Sequence, residues 1–278
     1  MKVVQFNKCS LVDNIWIVMG HRRLGHLPKS QAWREIVADL GKYGLGQVEI
    51  NEIANKTLRR VQKKYQELVN DPSISQSFEY LAKLSFAFQQ ENPQEYLFQN
   101  NMLASNELSL YKLVKGAKNY KEIDEGSYEY KLFAKQALLD TLNIWYKANK
   151  ETGESLFKAT SETEDIFRKI GNGGGFSEVS RLYLAKVTEK YLKYFLEREA
   201  SAVITNVAER NRFNFELENH INKISKHTFE SAKIAQAFSA GFYNKNRNEF
   251  ITNETKLKSF IYTVLKKMKS ELLKEEVN

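Results

Sequence analysis

The amino-acid sequence specifies a mainly α protein, a multi-helix bundle of about eight or nine helices, preceded by a short irregular or β-hairpin N-terminal arm. Three observations carry this expectation. Only 3 Pro and 13 Gly punctuate 278 residues, so turns are few and helices long. Lys, Glu, Leu, Ala and Gln, all good helix formers, fill much of the remainder. Apolar residues then recur at three- and four-residue steps through most of the chain. With 42% hydrophobic residues, among them 14 Tyr and 17 Phe, there is enough apolar surface to offset the entropy of ordering most of the length. The length exceeds a usual single domain and falls short of two. The chain is therefore read as an N-terminal helical part over 1–170, which includes the arm, and a C-terminal long-helix part over 171–278, packed together as one compact body.

The arm rests on Val3, Val4 and Phe6, then Ile15, Trp16, Ile17 and Val18, β-prone runs around a polar stretch. Gly20 to Pro28 follows as a basic loop with His21, Arg22, Arg23 and His26. Ser30 caps a helix running through Trp33, Ile36, Val37 and Leu40 to Gly41. Val48, Ile50, Ile53, Ala54, Leu58, Val61, Tyr65 and Leu68 mark a second helix, stopped by Asn70-Asp71-Pro72. Ser73 or Ser75 opens the next, through Phe78, Leu81 and Phe86 to Asn92-Pro93. Another runs on through Tyr96, Leu103, Leu110, Leu113 and Val114 to Gly116, and these three are expected to be consecutive antiparallel neighbours. An amphipathic helix from Tyr128 to Tyr146 breaks near Thr152-Gly153, and a shorter one spans Leu156 to Ile170. Gly171-Asn172-Gly173-Gly174-Gly175 reads as a flexible interhelical loop and the best boundary in the chain. Ser177 then caps one long helix from Leu182 to about Arg210, followed by helices over Phe213 to Tyr243 and Lys256 to Glu275.

The single cysteine, Cys9, forms no internal disulfide, and the N-terminus lacks the pattern of a secretory signal, so a cytoplasmic location is expected. No run approaches the roughly eighteen uninterrupted apolar residues of a membrane span, so no membrane partner is expected. A net charge of +8 and a pI near 9.2 draw in nucleic acid, anionic lipid or an acidic protein.

No motif names a reaction, and neither a cofactor nor a metal is expected. The glycine cluster before a helix has the shape of a phosphate cradle, but it lacks the Lys-Ser/Thr pair of a P-loop and follows a helix rather than a strand. His220 and His227 share a helix face about 10 Å apart, too far for those two alone to hold one metal ion. Glu216 lies one turn before His220. An acid-x-Lys pattern at Glu129 and Lys131, with Asp124, is a chance match in a Lys/Glu-rich chain. Over less than a tenth of the chain, Arg210 to His220 resembles the Arg, polar residue and His set of helical ribonucleases of the HEPN class, with a longer gap between Arg212 and His220 than that class uses.

The most coherent set is basic. Lys56, Arg59, Arg60, Lys63 and Lys64 recur at three- and four-residue steps and so share one helical face, which suits a phosphate backbone. Arg22 and Arg23 add charge near the N-terminus, and Lys256, Lys258, Lys266, Lys267 and Lys269 near the end. Lys245 and Arg247 follow Phe242 and Tyr243, which supply stacking surfaces for exposed bases. The leading expectation is a non-enzymatic, helical nucleic-acid-binding protein acting on RNA or DNA with other protein subunits, in a bacterial ribonucleoprotein or phage-defence complex. The antiviral setting is context rather than an inference from residues. The alternatives are a metal-independent ribonuclease using His220 with Arg210 or Arg212, and a protein-docking scaffold or adaptor.

Overall fold

The structure, a computed structural model, describes residues 30–103, 105, 107–121, 126–150, 159–231 and 253–274. The N-terminal arm, Arg22 and Arg23, the aromatic and basic stretch with Lys245 and Arg247, and Asp124 lie outside the described residues. Within them the chain is mainly helical, with ten α-helices and no strand.

Helix α1 (Gln31–Gly44) begins where expected, with Ser30 Oγ accepting from the Trp33 N–H. It passes Gly41 and buries Trp33, Ile36, Leu40 and Tyr43. Helix α2 (Ile50–Glu67) ends in a 3-10 turn over Leu68–Asn70. Asp71, rather than Ser73 or Ser75, caps α3 (Pro72–Ala87), its carboxylate accepting from the Ser73 N–H at 2.9 Å. Pro72 sits at the first helical position, where its missing N–H costs nothing, so the residue expected only to end one helix also starts the next.

The helix expected from Asn92 to Gly116 is two helices, α4 (Pro93–Gln99) and α5 (Leu110–Asn119). The Asn100 side chain donates to the Tyr96 carbonyl, Asn101 adopts a left-handed backbone with φ 56°, and the Met102 N–H returns to the Leu97 carbonyl. These contacts satisfy the end of α4 and turn the chain away. Ser109 starts α5 afresh. Gly116 lies inside α5: a Cβ there would sit 2.0 Å from the Met102 carbonyl oxygen, so glycine marks a close backbone approach, not a stop.

Helix α6 (Tyr128–Asn149) starts at its Ser127 cap, and α7 (Ala159–Arg168) leads through a 3-10 turn over Lys169–Gly171 into α8 (Gly173–Val203). The glycine cluster is thus no loop. Gly173, Gly174 and Gly175 form the first turn of α8, and Asn172, not Ser177, caps it by accepting from the Gly175 N–H at 2.7 Å. Helix α8 also stops before Arg210. Ile204 is extended, and α9 (Val207–Ser231) starts three residues later. Arg210 braces the connection, its guanidinium donating to the Ile204 and Thr205 carbonyls between the two helices at 2.8 and 3.1 Å. Helix α10 (Glu254–Lys274) closes the described chain.

Helix α8 is buried over most of its surface between Phe176 and Leu196 and forms the axis of the bundle, packing most heavily on α6 and α9 and also on α1, α2 and α3. Tyr65, Tyr183 and Tyr191 bring hydroxyls into this core, and each finds a partner: Thr188, the Ile74 carbonyl and the Val61 carbonyl. The expected row of three consecutive antiparallel neighbours does not form: α2 lies principally against α10 and α1, and α3 principally against α6. Among the described residues no helix is long and apolar enough to cross a membrane.

Candidate nucleic-acid interface

Periodicity sets the orientation of α2. Ile53, Ala54, Leu58, Val61 and Tyr65 are buried, while Arg59, Arg60 and Lys63 on the opposite side are exposed. The five-residue stripe is narrower than its spacing implies. Lys56 is half-buried and binds Asp39 of α1 at 2.8 Å, with Glu52 at 3.9 Å, so it ties α1 to α2. Asp39 also faces Lys42 at 3.4 Å. Burial alone pushes the Asp39 carboxyl up, but the hydrogen bonds and charges of Lys56 and Lys42 together hold it below its ordinary range. Lys64 is half-buried, its carbonyl accepting from the Tyr130 hydroxyl. What remains outward is Arg59, Arg60 and Lys63, flanked at the helix ends by exposed Glu52 and Glu67.

The helix packed along α2 adds positive charge. On α10, Lys258 pairs with Glu254 at 2.7 Å, whereas Lys266, 6.0 Å from the centre of the exposed Tyr262 ring, and Lys267 face outward.

The nuclease residues separate. Arg210 serves the end of α8, while Arg212 and His220 line one open hollow of about 510 Å³ between α9 and the turn after α1. Sequence reasoning missed its central group, Tyr43. The Tyr43 hydroxyl donates to Glu216 at 2.6 Å, Arg212 Nε donates to that hydroxyl at 3.4 Å, and the guanidinium lies 5.3 Å from the ring centre. Burial and the Glu216 carboxylate push the Tyr43 phenol up to about 12. Arg212 also meets Glu209 at 2.6 Å. Glu216, one turn from His220 in sequence, thus engages Tyr43 and Arg212. No sequence signal reveals this, because Tyr43 and Glu216 meet across 173 positions. His227 lies elsewhere, 3.5 Å from Glu271 of α10.

Glu129 is occupied by the Ser127 hydroxyl at the α6 cap. Among the described residues no three His, Cys, Asp or Glu side chains gather to hold a metal ion. Comparison of the chain with family models, curated proteins and solved structures finds no match.

Proposed function

We propose that the protein binds nucleic acid, RNA or DNA, through the outward side of α2. The observation that carries this reading is the exposure of Arg59, Arg60 and Lys63 on the side opposite the buried stripe, on a chain of net charge +8. Neither Arg60 nor Lys63 is in an ion pair with a described residue, so their charge is available to phosphates. A cytoplasmic location and a place in a ribonucleoprotein or phage-defence complex belong to the same proposal, with exposed Leu45, Phe98, Tyr111 and Phe215 offering apolar contact to protein subunits. Electrophoretic mobility shifts with single-stranded RNA, single-stranded DNA and duplex DNA test it. At least one should be retarded at low salt and released as salt rises, and free migration of all three would refute the reading.

A second reading follows from Arg212 and His220 lining one hollow: a metal-independent ribonuclease. RNA cleavage that disappears in His220→Ala without loss of RNA binding supports it, and cleavage that survives eliminates it.

A further inference from the structure

We propose that the nucleic acid bound at α2 is a single strand, and that Tyr262 of α10 is the platform on which one of its unpaired bases stacks. This rests on the proposed role of α2 and adds a contact that phosphates alone do not make, one with a base.

The course of α10 brings Tyr262 to that surface. Its first turn, with Glu254 and Leu257, lies beside Pro72 and Ser75, just past the end of α2, and α10 then packs along α2, so it runs back beside it. Tyr262 comes five residues, about 7 Å, after Leu257. It therefore stands alongside the half of α2 that carries Arg59, Arg60 and Lys63, with Lys266 one turn further on. The flank of the helix agrees. Phe260 meets Phe78 of α3 with ring centres 5.5 Å apart, and Glu271, three turns later on the same flank, meets His227 of α9. Tyr262 is turned about 200° from Phe260, away from α3 and onto the side of α2.

The surroundings of Tyr262 suit a base. Its ring is 44% exposed, an aromatic face left in water that gains by being covered. Lys266 Nζ lies 6.0 Å from the ring centre, so a cation stands ready for the phosphate that follows a stacked base. Acids are kept away from the middle of both helices. Between Glu52 and Glu67, and again between Glu254 and Glu271, every charged residue is Lys or Arg. A duplex does not offer a base face to such a ring, because its bases are stacked on one another, whereas a single strand does. Every base has such a face, so the contact tolerates any sequence and is open to RNA and DNA alike.

The test titrates labelled oligonucleotides into the protein at fixed salt, read by fluorescence anisotropy: a single strand, an abasic strand of the same length and charge, and a duplex, each in RNA and DNA form. Wild type should bind the base-bearing strand about tenfold more tightly than the abasic one. Tyr262→Ala should lose that advantage yet keep the affinity for the abasic strand and its salt dependence, because stacking releases no counterions. Tyr262→Phe should retain the advantage, and the duplex should bind wild type and Tyr262→Ala equally. The wild-type comparison needs no variant, so it decides even if a substitution disturbs folding, which circular dichroism detects. Equal binding of the base-bearing and abasic strands, or an advantage that survives in Tyr262→Ala, would overturn the platform and leave the α2 surface standing. No binding of any strand would overturn both. A base advantage seen with RNA, with DNA or with both names the strand and supports the site in each case.

Discussion

At the residue scale, single atoms decide where helices begin. A Cβ on Gly175 would lie 1.9 Å from the Lys169 carbonyl oxygen, whereas one on Gly174 would meet Asn172 Oδ1 at 3.4 Å. Adjacent glycines in one helical turn thus have opposite tolerances. Gly175→Ala should destabilise the fold by about 3 kcal/mol or more, because backbone must move. Gly174→Ala should be neutral or stabilising by about 0.5 kcal/mol, because alanine is the better helix former. Urea denaturation of the two variants checks the contrast. Glu189 is a second such residue, buried between Lys186 and Lys193 of its own helix. Burial alone pushes its carboxyl up, yet the hydrogen bonds and charges of both lysines hold it below its ordinary 4.5. A depressed pKa contributes stability that is complete above the ordinary value and lost as pH falls through the lower one. The melting temperature of wild type should therefore drop more steeply on acidification below 4.5 than that of Glu189→Gln, which starts about 2 kcal/mol less stable at neutral pH. Parallel curves for the two would refute the assignment.

At the element scale, α2 joins two roles that mutation should separate. Lys56 binds the buried Asp39 carboxylate and ties α1 to α2, so Lys56→Ala should lower stability by about 1–3 kcal/mol. Arg60→Glu and Lys63→Glu change exposed positions, and their melting temperatures should stay near wild type while nucleic-acid binding falls. Thermal melts beside mobility shifts read both. The basic side of α2 was legible because 3.6-residue periodicity alone places Arg59, Arg60 and Lys63 opposite Ile53, Leu58 and Tyr65. That Lys56 leaves the set was not, since Asp39 belongs to another helix, 17 positions away. Helix interiors were legible for the same reason of period, and the ends misread at Pro and Gly share one cause. Pro72, Gly116 and Gly173 to Gly175 are breakers by intrinsic preference, but α3 takes the proline as its first residue, α8 takes the three glycines as its first turn, and Gly116 and Gly175 are places of close backbone approach.

At the scale of the whole molecule, the charged surface stands on a core that α8 organises, with α2, α9 and α10 packed around one another beside it. This arrangement backs the outward side of α2 with packed helices and puts α10, with its exposed Lys266 and Lys267, beside it. The mainly helical class was readable from composition and periodicity, whereas the pairing of α2 with α10 was not, because contacts between helices two hundred residues apart leave no local pattern. Tyr43 went unread for that same physical reason. The most direct measurement is a fluorescence-anisotropy titration with labelled RNA and DNA across a series of salt concentrations, comparing wild type with a variant carrying Arg59→Glu, Arg60→Glu and Lys63→Glu. Wild-type affinity should fall linearly in log–log form as salt rises, and the variant, folded and equally stable, should bind not at all or with a slope shallower by about 2–3. Wild type that binds none of the strands, or a variant with unchanged affinity and slope, would contradict a nucleic-acid role for this side of α2.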